Sequence, residues 1–339
     1  MFKAVNCMKK KKQLQVWKLI LIYIVATGLS LIVFAYFHHV NPIGDFNYVE
    51  VSLPTPTLPS APAPTAISTY TPPRTDEPAL ITPTPLPTEP PIFAPDEHRS
   101  VMTDEMLITE NVRIELLTKT EGDAVFHIAE IWLRDVTYLK TYCAGGQYKG
   151  AWANKEYAYR LAREVNAFLA INGDQFAARR EGVEVRNGVL CRERMYKDVA
   201  VLYYDGSLVT YDQDKFDISV IEENGAWQAW SFGPRLLDDN GQPMTEFNCE
   251  DYVGKRRHPR TAIGMIEPLH YIFVCVDGRS SKSDGILLTD LSKWFYDNGC
   301  VSAYNLDGGA TSQMVVQGEY YNNPSKEREV TDIIYIGID

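Results

Sequence analysis

Short polar turns that contain glycine follow several apolar stretches of this chain. The densest lies between Ala303 and Val316, where Asp307 and two glycines separate two apolar runs. Adjacent glycines release the backbone from the usual restriction on φ and allow it to approach a ligand closely. Asn305, Asp307, Thr311 and Ser312 add hydrogen-bond donors and acceptors. This composition suits a polar ligand, and the alternative is a hairpin turn whose Asn and Asp bond their own backbone.

Related residues occur at other predicted strand ends. Asn172 and Asp174 follow one apolar stretch, Arg260 opens another, and Asp277 and Arg279 close the next. Because strand ends on one edge of a sheet can converge on one pocket, we expect these groups near Asp307. Carboxylates serve as acid, base or nucleophile at an anomeric carbon, and arginine binds phosphate oxygens bidentately. The set predicts a site for a sugar that carries a phosphate, although each element alone is typical of a turn or a surface ion pair.

Six short motifs, taken in order, are similar to those of a known family. They are Asn172-Gly173-Asp174, Arg186-Asn187-Gly188-Val189-Leu190, Ser231-Phe232-Gly233-Pro234, Pro259-Arg260-Thr261-Ala262-Ile263-Gly264, Asp277-Gly278-Arg279 and Asn305-Leu306-Asp307-Gly308-Gly309. From about Asn111 to Asp339 the chain resembles the phosphodiester glycosidase family. The family's Asp-Gly-Gly is usually followed by Gly-Ser-Ser-Thr, whereas this chain has Ala310-Thr311-Ser312-Gln313.

The resemblance implies a hydrolase that releases the sugar from a sugar-1-phosphodiester and leaves a phosphomonoester. Arginine would stabilise the phosphate charge, and the amides and Ser312 would orient sugar hydroxyls. We expect neither a metal nor a cofactor. The predicted catalytic residues are Asp307, Asp174 and Asp277. The predicted substrate-binding residues are Asn172, Arg260, Arg279, Asn305, Gly308, Gly309 and Ser312.

The elements that must position these residues indicate an α+β fold, with a mixed, mostly antiparallel sheet core and a few helices. Alternating β-branched and aromatic residues predict strands, and spacings of three and four predict helices. The predicted helices are 155–166, capped by Asn154, and 288–298, ended by Gly299. The predicted strands are 112–117, 125–133, 168–171, 183–190, 199–211, 261–266, 271–276, 301–306, 313–316 and 330–338, with hairpin turns at Asn187-Gly188 and Asp205-Gly206.

The N-terminus predicts a membrane anchor. Lys9 to Lys12 precede an apolar run from Trp17 to Phe37, which is long enough to span a bilayer of roughly 30 Å. The basic flank favours a cytoplasmic tail over residues 1–16 and an extracellular C-terminal part. The alternative is a cleaved signal peptide, which the length of the run disfavours. We therefore expect a single-pass protein of the cell membrane.

Residues 38–96 read as a linker. Fourteen of the 20 prolines lie between Val51 and Pro95, mixed with threonine. Such a segment cannot bury a core and is typical of an extended stalk. The folded domain is predicted over residues 97–339. The formal net charge of the chain is −11, although its first 40 residues contain lysine and no acidic residue, so a nucleic-acid partner is not expected.

Five of the six cysteines follow the predicted anchor. An odd number leaves at least one free thiol or an intermolecular bridge. Cys191 and Cys249 lie in loop-like segments and form the predicted disulfide, whereas Cys275 and Cys300 lie in apolar strands and are expected to pack as small hydrophobic residues. No pair has the spacing typical of a zinc site.

Two other functions are compatible with these features. A non-catalytic glycan- or wall-binding module would share the anchor and stalk and would present exposed aromatic residues, for which Trp227 and Trp230 are candidates. A metal-dependent phosphodiesterase would cut the other bond to phosphorus and would need clustered metal ligands. A surface glycosidase of the family that the chain resembles would act on a sugar-1-phosphate diester or another surface glycan, such as a wall or capsule polysaccharide.

Overall fold

The computed structural model describes residues 92–95 and 99–338. The predicted cytoplasmic tail, the membrane span at 17–37 and nearly all of the linker lie outside these residues. Among the helices described here, none combines the length and the apolar character that a bilayer crossing requires.

The described residues form short helices and many strands. The helices are α1 (Ala158–Glu164), α2 (Ser219–Asn224), α3 (Asp251–Gly254) and α4 (Leu288–Asp297). The strands are β1 (Val101–Met102), β2 (Met106–Ile108), β3 (Val112–Glu121), β4 (Ala124–Leu133), β5 (Leu139–Cys143), β6 (Ala167–Asn172), β7 (Gly182–Arg186), β8 (Val189–Arg194), β9 (Val199–Tyr203), β10 (Leu208–Tyr211), β11 (Ala226–Trp230), β12 (Arg260–Glu267), β13 (His270–Val276), β14 (Ser302–Asn305), β15 (Met314–Val316), β16 (Glu319–Tyr320) and β17 (Asp332–Gly337).

The strands make three sheets, and every strand pairing in the described part of the chain is antiparallel. The first sheet has seven strands in the order β1-β2-β3-β4-β13-β12-β14. The second has the order β10-β9-β11-β7-β8, and the third has the order β16-β15-β6-β17-β5. This arrangement confirms the prediction of mostly antiparallel sheets with a few helices.

All three sheets contribute to the largest hydrophobic cluster. Phe273 of the first sheet, Trp230 of the second and Ile334 of the third belong to it, and all three are fully buried. Helix α4 packs on the other face of the first sheet, where Phe295 and Leu291 meet Val274 in a second cluster. The first sheet therefore has an apolar layer on both faces, which explains the near-continuous hydrophobic stretches of β12 and β13.

Two sequence predictions differ from the structure in detail, and a third agrees with it. The predicted helix at 155–166 is shorter, because Glu156 pairs with Val330 in an isolated bridge and α1 begins after Tyr157 without a side-chain cap. Asp205-Gly206 belongs to a four-residue connection between β9 and β10 and not to a two-residue turn. Asn187-Gly188 does connect β7 and β8 directly, with φ of 51° and 81° as a type I′ turn requires.

The strands that flank the Asp307 turn do not pair with each other. Strand β14 ends the first sheet, whereas β15 lies in the third sheet beside β6. The hairpin alternative for this turn is therefore wrong, and residues 306–313 cross from one sheet to another. The predicted disulfide is also wrong: Cys191 on β8 and Cys249 ahead of α3 are both free thiols. Cys275 and Cys300 are buried, as expected for small hydrophobic residues.

Trp294 on α4 should be a large contributor to stability. Its side chain is only 7% exposed and its ring stacks on Phe126 with centroids 5.3 Å apart. We expect Trp294→Ala to lower the free energy of unfolding by about 3–5 kcal/mol, measured by chemical denaturation. Tyr296, two residues later and 44% exposed, provides the control, and its replacement by alanine should be nearly neutral. Similar losses for the two variants would show that this helix face is not packed as described.

Candidate functional site

The Asp307 carboxylate lies in the crossover between the first and third sheets. Its Oδ1 accepts a hydrogen bond from the Gly308 backbone N–H at 2.9 Å, and its Oδ2 accepts one from the Thr311 hydroxyl at 2.6 Å. The Thr311 hydroxyl also lies 2.8 Å from the Gly308 carbonyl oxygen. A 3₁₀ turn over Gly309–Thr311 makes these contacts possible, because Gly309 adopts a φ of 73° that favours glycine.

The environment of Asp307 suits proton transfer near neutral pH. Burial raises the pKa of its carboxyl to about 6, and the bonds from Thr311 and Gly308 and the attraction of Arg328 counteract only part of this effect. The charge of Asp174 adds to the upward shift of this pKa. A carboxyl with a pKa close to the working pH is efficient at both accepting and donating a proton.

A small, partly enclosed pocket adjoins this carboxylate. It lies where β6 ends and β17 begins, so that strand ends of the third sheet and the crossover form its walls. Its lining residues are Lys155, Asn172, Gly173, Gln175, Asp307, Thr311, Glu329, Val330, Thr331 and Asp332. Of the predicted site residues, Asn172 and Asp307 are thus brought together here.

Asp332 is a second carboxyl of this pocket that the sequence analysis missed. Its Oδ1 accepts a hydrogen bond from the Thr331 hydroxyl at 3.1 Å, and its Oδ2 lies 3.3 Å from Arg186 Nη2. Burial raises the pKa of the Asp332 carboxyl to about 7, and the attraction of Arg186 offsets part of this rise. The sequence did contain a signal for this residue. An acidic residue stands at the start of an otherwise apolar closing strand, where a carboxylate cannot contribute to a hydrophobic core.

Arg186 is the centre of a buried ion-pair network. Its Nη2 lies 2.8 Å from Asp174 Oδ1 and 2.5 Å from Glu184 Oε2, in addition to the contact with Asp332. Arg192 also contacts Glu184, at 2.9 Å. Three buried carboxyls thus face two guanidinium groups, so one proton is favoured in the network, and burial holds the pKa of Glu184 well above its usual range. Because an arginine occupies the centre, this cluster is an ion-pair network and not a cation site.

The carboxylate of Asp174 faces this network and not the pocket. Its Oδ1 pairs with Arg186, and its Oδ2 accepts a hydrogen bond from the Ser231 backbone N–H at 3.2 Å. Asp277 is similarly occupied. Its Oδ2 lies 3.1 Å from His127 Nε2, and its Oδ1 accepts bonds from the Asn322 side chain at 3.0 Å and the Asn323 N–H at 3.1 Å. These partners suit positioning, whereas Asp307 and Asp332 are buried carboxyls that line the pocket.

The two predicted asparagines hold the strand ends around the pocket. Asn172 Oδ1 accepts hydrogen bonds from the Thr261 hydroxyl at 2.7 Å and the Gln313 N–H at 3.1 Å, and its Nδ2 donates to the Asp307 carbonyl at 2.7 Å. Asn305 Nδ2 donates to the Gly233 carbonyl at 2.9 Å. The buried Oδ1 of Asn305 and the buried Oγ of Ser312 have no protein hydrogen-bond partner.

The two predicted phosphate-binding arginines differ in their surroundings. The guanidinium of Arg260 is buried, and its Nη2 donates to the Val253 carbonyl at 2.6 Å and the Arg256 carbonyl at 3.3 Å at the end of α3. Arg279 is exposed and lies across the turn from Asp307. Its Nη2 is 3.1 Å from the position that a Cβ would take at Gly309. Arg279 is therefore the accessible cation of the pair.

Gly173 allows the Asp332 carboxyl to lie against the backbone. A Cβ at this position would come within 2.5 Å of Asp332 Cγ and Oδ1. We expect Gly173→Ala to displace this carboxyl and to lower the free energy of unfolding by about 1–3 kcal/mol, measured by thermal denaturation. Gly337→Ala in β17 is the control, because its Cβ would meet no atom closer than 3.8 Å. A Gly173→Ala variant as stable as this control would contradict the described packing.

A family model and a curated protein match much of this chain. The sequence profile of the phosphodiester glycosidase family matches residues 165–337, just over half of the chain and every pocket residue except Lys155. The SPbeta prophage-derived protein YomE of Bacillus subtilis (strain 168) is 32% identical over 197 residues, which are 54% of this chain and 30% of YomE. The chain thus spans less than a third of that relative's length.

One solved structure shares the fold at low identity. It is the catalytic domain of zebrafish N-acetylglucosamine-1-phosphodiester alpha-N-acetylglucosaminidase, auto-inhibited by its pro-peptide. It aligns with a TM-score of 0.54 and 22% identity, covering 72% of this chain and 86% of that domain. From the sequence profile that covers more than half of its length, we conclude that this chain belongs to the phosphodiester glycosidase family.

Proposed function

We propose that this chain hydrolyses a sugar-1-phosphodiester to the free sugar and a phosphomonoester. The observation that carries the proposal is the Asp307 carboxyl, which lines a pocket and has a pKa raised to about 6. Arg328 attracts this carboxyl, and Arg279 lies beside Gly309 in the same turn. Family membership supports the same class of reaction.

In the proposed reaction, the oxygen of a water molecule bonds to the anomeric carbon while the bond from that carbon to the phosphate oxygen breaks. The electron pair of the broken bond leaves with the phosphate. Asp307 accepts the proton of the attacking water, since its pKa makes it an effective base near neutral pH. Arg279 and Arg328 stabilise the departing phosphate, a weak base that needs little help from a general acid.

Water labelled with heavy oxygen tests which bond is cut. The full-length chain is incubated in labelled water with sugar-1-phosphodiesters that differ in sugar and anomer, and the products are analysed by mass spectrometry. We expect the label in the sugar. Label in the phosphate would identify a phosphodiesterase and refute the proposal. Absence of turnover on every substrate, together with retained glycan binding, would favour a binding module.

The aromatic platform that a binding module would need is not formed by the two candidate tryptophans. Trp230 is fully buried in the main core. Trp227 is half-buried, and its indole N–H donates to the Leu139 carbonyl at 2.5 Å. Both side chains serve packing, so neither supports the binding-module alternative.

We further propose that the enzyme acts at the outer surface of the cell membrane, on surface polysaccharide. Residues 17–37 would anchor it and residues 38–96 would hold the domain of residues 97–339 away from the bilayer; the apolar run, its lysine flank and the proline content support this arrangement. Protease added to intact cells should cut the stalk and release an active domain. A chain that is fully protected until the cells are lysed would reverse the proposed orientation.

A further inference from the structure

A basic surface with an exposed aromatic ring begins next to the Asp307 turn. We call it the Tyr252 surface and define it by Tyr252, Arg256, His258 and Arg279. Tyr252 lies on α3 and is 56% exposed. Its ring packs on that of His258 with centroids 4.8 Å apart, and the guanidinium carbon of Arg256 lies 5.4 Å from the Tyr252 centroid. An exposed ring beside cations is a surface on which a sugar or another planar group can stack.

Direct contacts connect this surface to the turn of Asp307. Arg279 Nη2 donates to His258 Nδ1 at 3.2 Å, and His258 Nε2 lies 3.1 Å from the Tyr252 carbonyl oxygen. These partners assign the Nε2–H tautomer to a neutral His258. The same Arg279 nitrogen lies against Gly309, 3.1 Å from the position that a Cβ would take there. The path from Asp307 to Tyr252 therefore consists of groups in contact.

The charge of this surface is not neutralised within the described residues. Several exposed cations of the domain pair with carboxylates, as Lys215 does with Asp239 at 2.9 Å. Arg256 and Arg279 have no carboxylate within 4.0 Å in the part of the chain that the structure describes. In a chain with a formal net charge of −11, unneutralised guanidinium groups beside a candidate site indicate an anionic ligand.

Burial lowers the pKa values of two neighbouring groups, and the positive charge of this surface adds to both decreases. Burial lowers the pKa of Arg260 to about 10, and repulsion from Arg279 contributes to this decrease. Burial also lowers the pKa of His258, with further contributions from Arg260, Arg279 and Arg256. The buried Arg260 donates to the carbonyl groups at the end of α3 and holds this helix in place. Its guanidinium is therefore not available to a ligand.

We propose that the Tyr252 surface binds the next unit on the phosphate side of the cleaved bond, so that the substrate is a polymer of sugars joined by phosphodiesters. This inference rests on the proposed function. Arg279 would contact the phosphate of the bond that is cut, Tyr252 would stack on the following sugar, and Arg256 would pair with the following phosphate. A substrate with a single phosphodiester reaches Arg279 but leaves Tyr252 and Arg256 unused.

The test compares a substrate that contains one sugar phosphodiester with a trimer of the same sugar. Full-length protein and its Tyr252→Ala and Arg256→Ala variants are assayed on a methyl phosphodiester of N-acetylglucosamine-1-phosphate and on a trimer of the same sugar joined by phosphodiesters. We expect each variant to lose about tenfold in kcat/KM on the trimer, the size of one charge-assisted or stacking contact, and less than twofold on the single unit. Tyr296→Ala and Arg194→Ala remove an exposed tyrosine and an exposed arginine elsewhere and should alter neither value.

Direct binding separates this inference from the proposed function. Calorimetry measures the affinity of the same proteins for the trimer and for a single-stranded oligonucleotide of equal charge, and it needs no turnover. If no sugar-1-phosphodiester is hydrolysed but the two variants bind the trimer about tenfold more weakly than the parent, the Tyr252 surface is supported and the proposed reaction fails. Equal losses on both sugar substrates, unchanged affinity for the trimer, or tighter binding of the oligonucleotide would overturn the inference.

Discussion

Asp307→Asn should give a folded protein whose turnover of a sugar-1-phosphodiester is reduced by at least about 10². Asparagine keeps the oxygen that accepts from the Gly308 N–H, and the Thr311 hydroxyl can turn its proton to the Gly308 carbonyl while accepting from the new amide. The substitution removes the charge and the basicity and leaves Arg279 in place. Turnover and binding are measured separately, and we expect substrate binding to be retained.

The pH dependence provides an independent check on Asp307. Because the pKa of this carboxyl is raised to about 6, activity of the parent should increase as pH rises through 6, where the base loses its proton. This limb should be absent from the residual activity of Asp307→Asn. Asp214→Asn, at an exposed aspartate distant in sequence, is the control and should retain the parental profile. A folded Asp307→Asn variant that turns over at the parental rate would show that this residue is structural. Asp332 would then be the next candidate for the base.

Arg186→Met should lower the free energy of unfolding about as much as Trp294→Ala does. It leaves the carboxyls of Asp174, Glu184 and Asp332 buried without their shared partner. Removal of one member of a buried ion pair typically costs about 3–5 kcal/mol in the free energy of unfolding. Arg194→Met on the neighbouring strand β8 is the control, because Arg194 is exposed and lies 3.9 Å from Glu181.

The decrease in the free energy of unfolding caused by Arg186→Met should be larger at high pH than at low pH. At pH 8 the abandoned carboxyls favour ionisation, whereas at pH 5 they can accept protons and remain buried as neutral groups. We therefore expect a smaller loss at pH 5 than at pH 8, measured by chemical denaturation at both values. The same loss at both values would mean that ionisation of these carboxyls does not determine the effect.

The stability of the parent protein should also depend on pH because of the Asp332 carboxyl. Its pKa is raised from 3.8 to about 7 on folding, so between these values the folded state binds more protons than the unfolded state. Stability due to this group is therefore fully present below about pH 4 and falls as pH rises toward 7. Asp332→Asn should remove this contribution and flatten the stability profile in that range.

Local signals allowed much of the fold to be predicted. The turn at Asn187-Gly188, helix α4 with Gly299 after it, and the antiparallel pair around Pro268 follow from φ preferences and hydrophobic spacing within a few residues. The crossover at Asp307 could not be predicted in this way, since β14 and β15 are equally apolar and their sequences do not show which strand each will pair with. That choice depends on contacts with β12 and β6, which are distant along the chain.

In the candidate site, too, contacts between residues distant along the chain could not be predicted from the sequence. Sequence placed Asn172 and Asp307 correctly at strand ends, and the structure brings them to one pocket. The partner of Asp174 could not be inferred, because Arg186 approaches it from a strand of another sheet. Arg260 is satisfied by helix carbonyls that only the tertiary fold supplies. The roles assigned to the individual side chains remain predictions that the variants above are designed to test.

The crossover between the sheets also has a consequence for amide hydrogen exchange. The Leu306 N–H donates to Thr261 at 2.8 Å, the Asp307 N–H to Gly173 at 3.3 Å and the Gly309 N–H to Pro259 at 2.9 Å. A surface turn ordinarily exchanges its amide protons rapidly, but these can exchange only when the crossover separates from the strand ends beside it. The segment that carries Asp307 should therefore exchange its amide protons as slowly as the strands beside it.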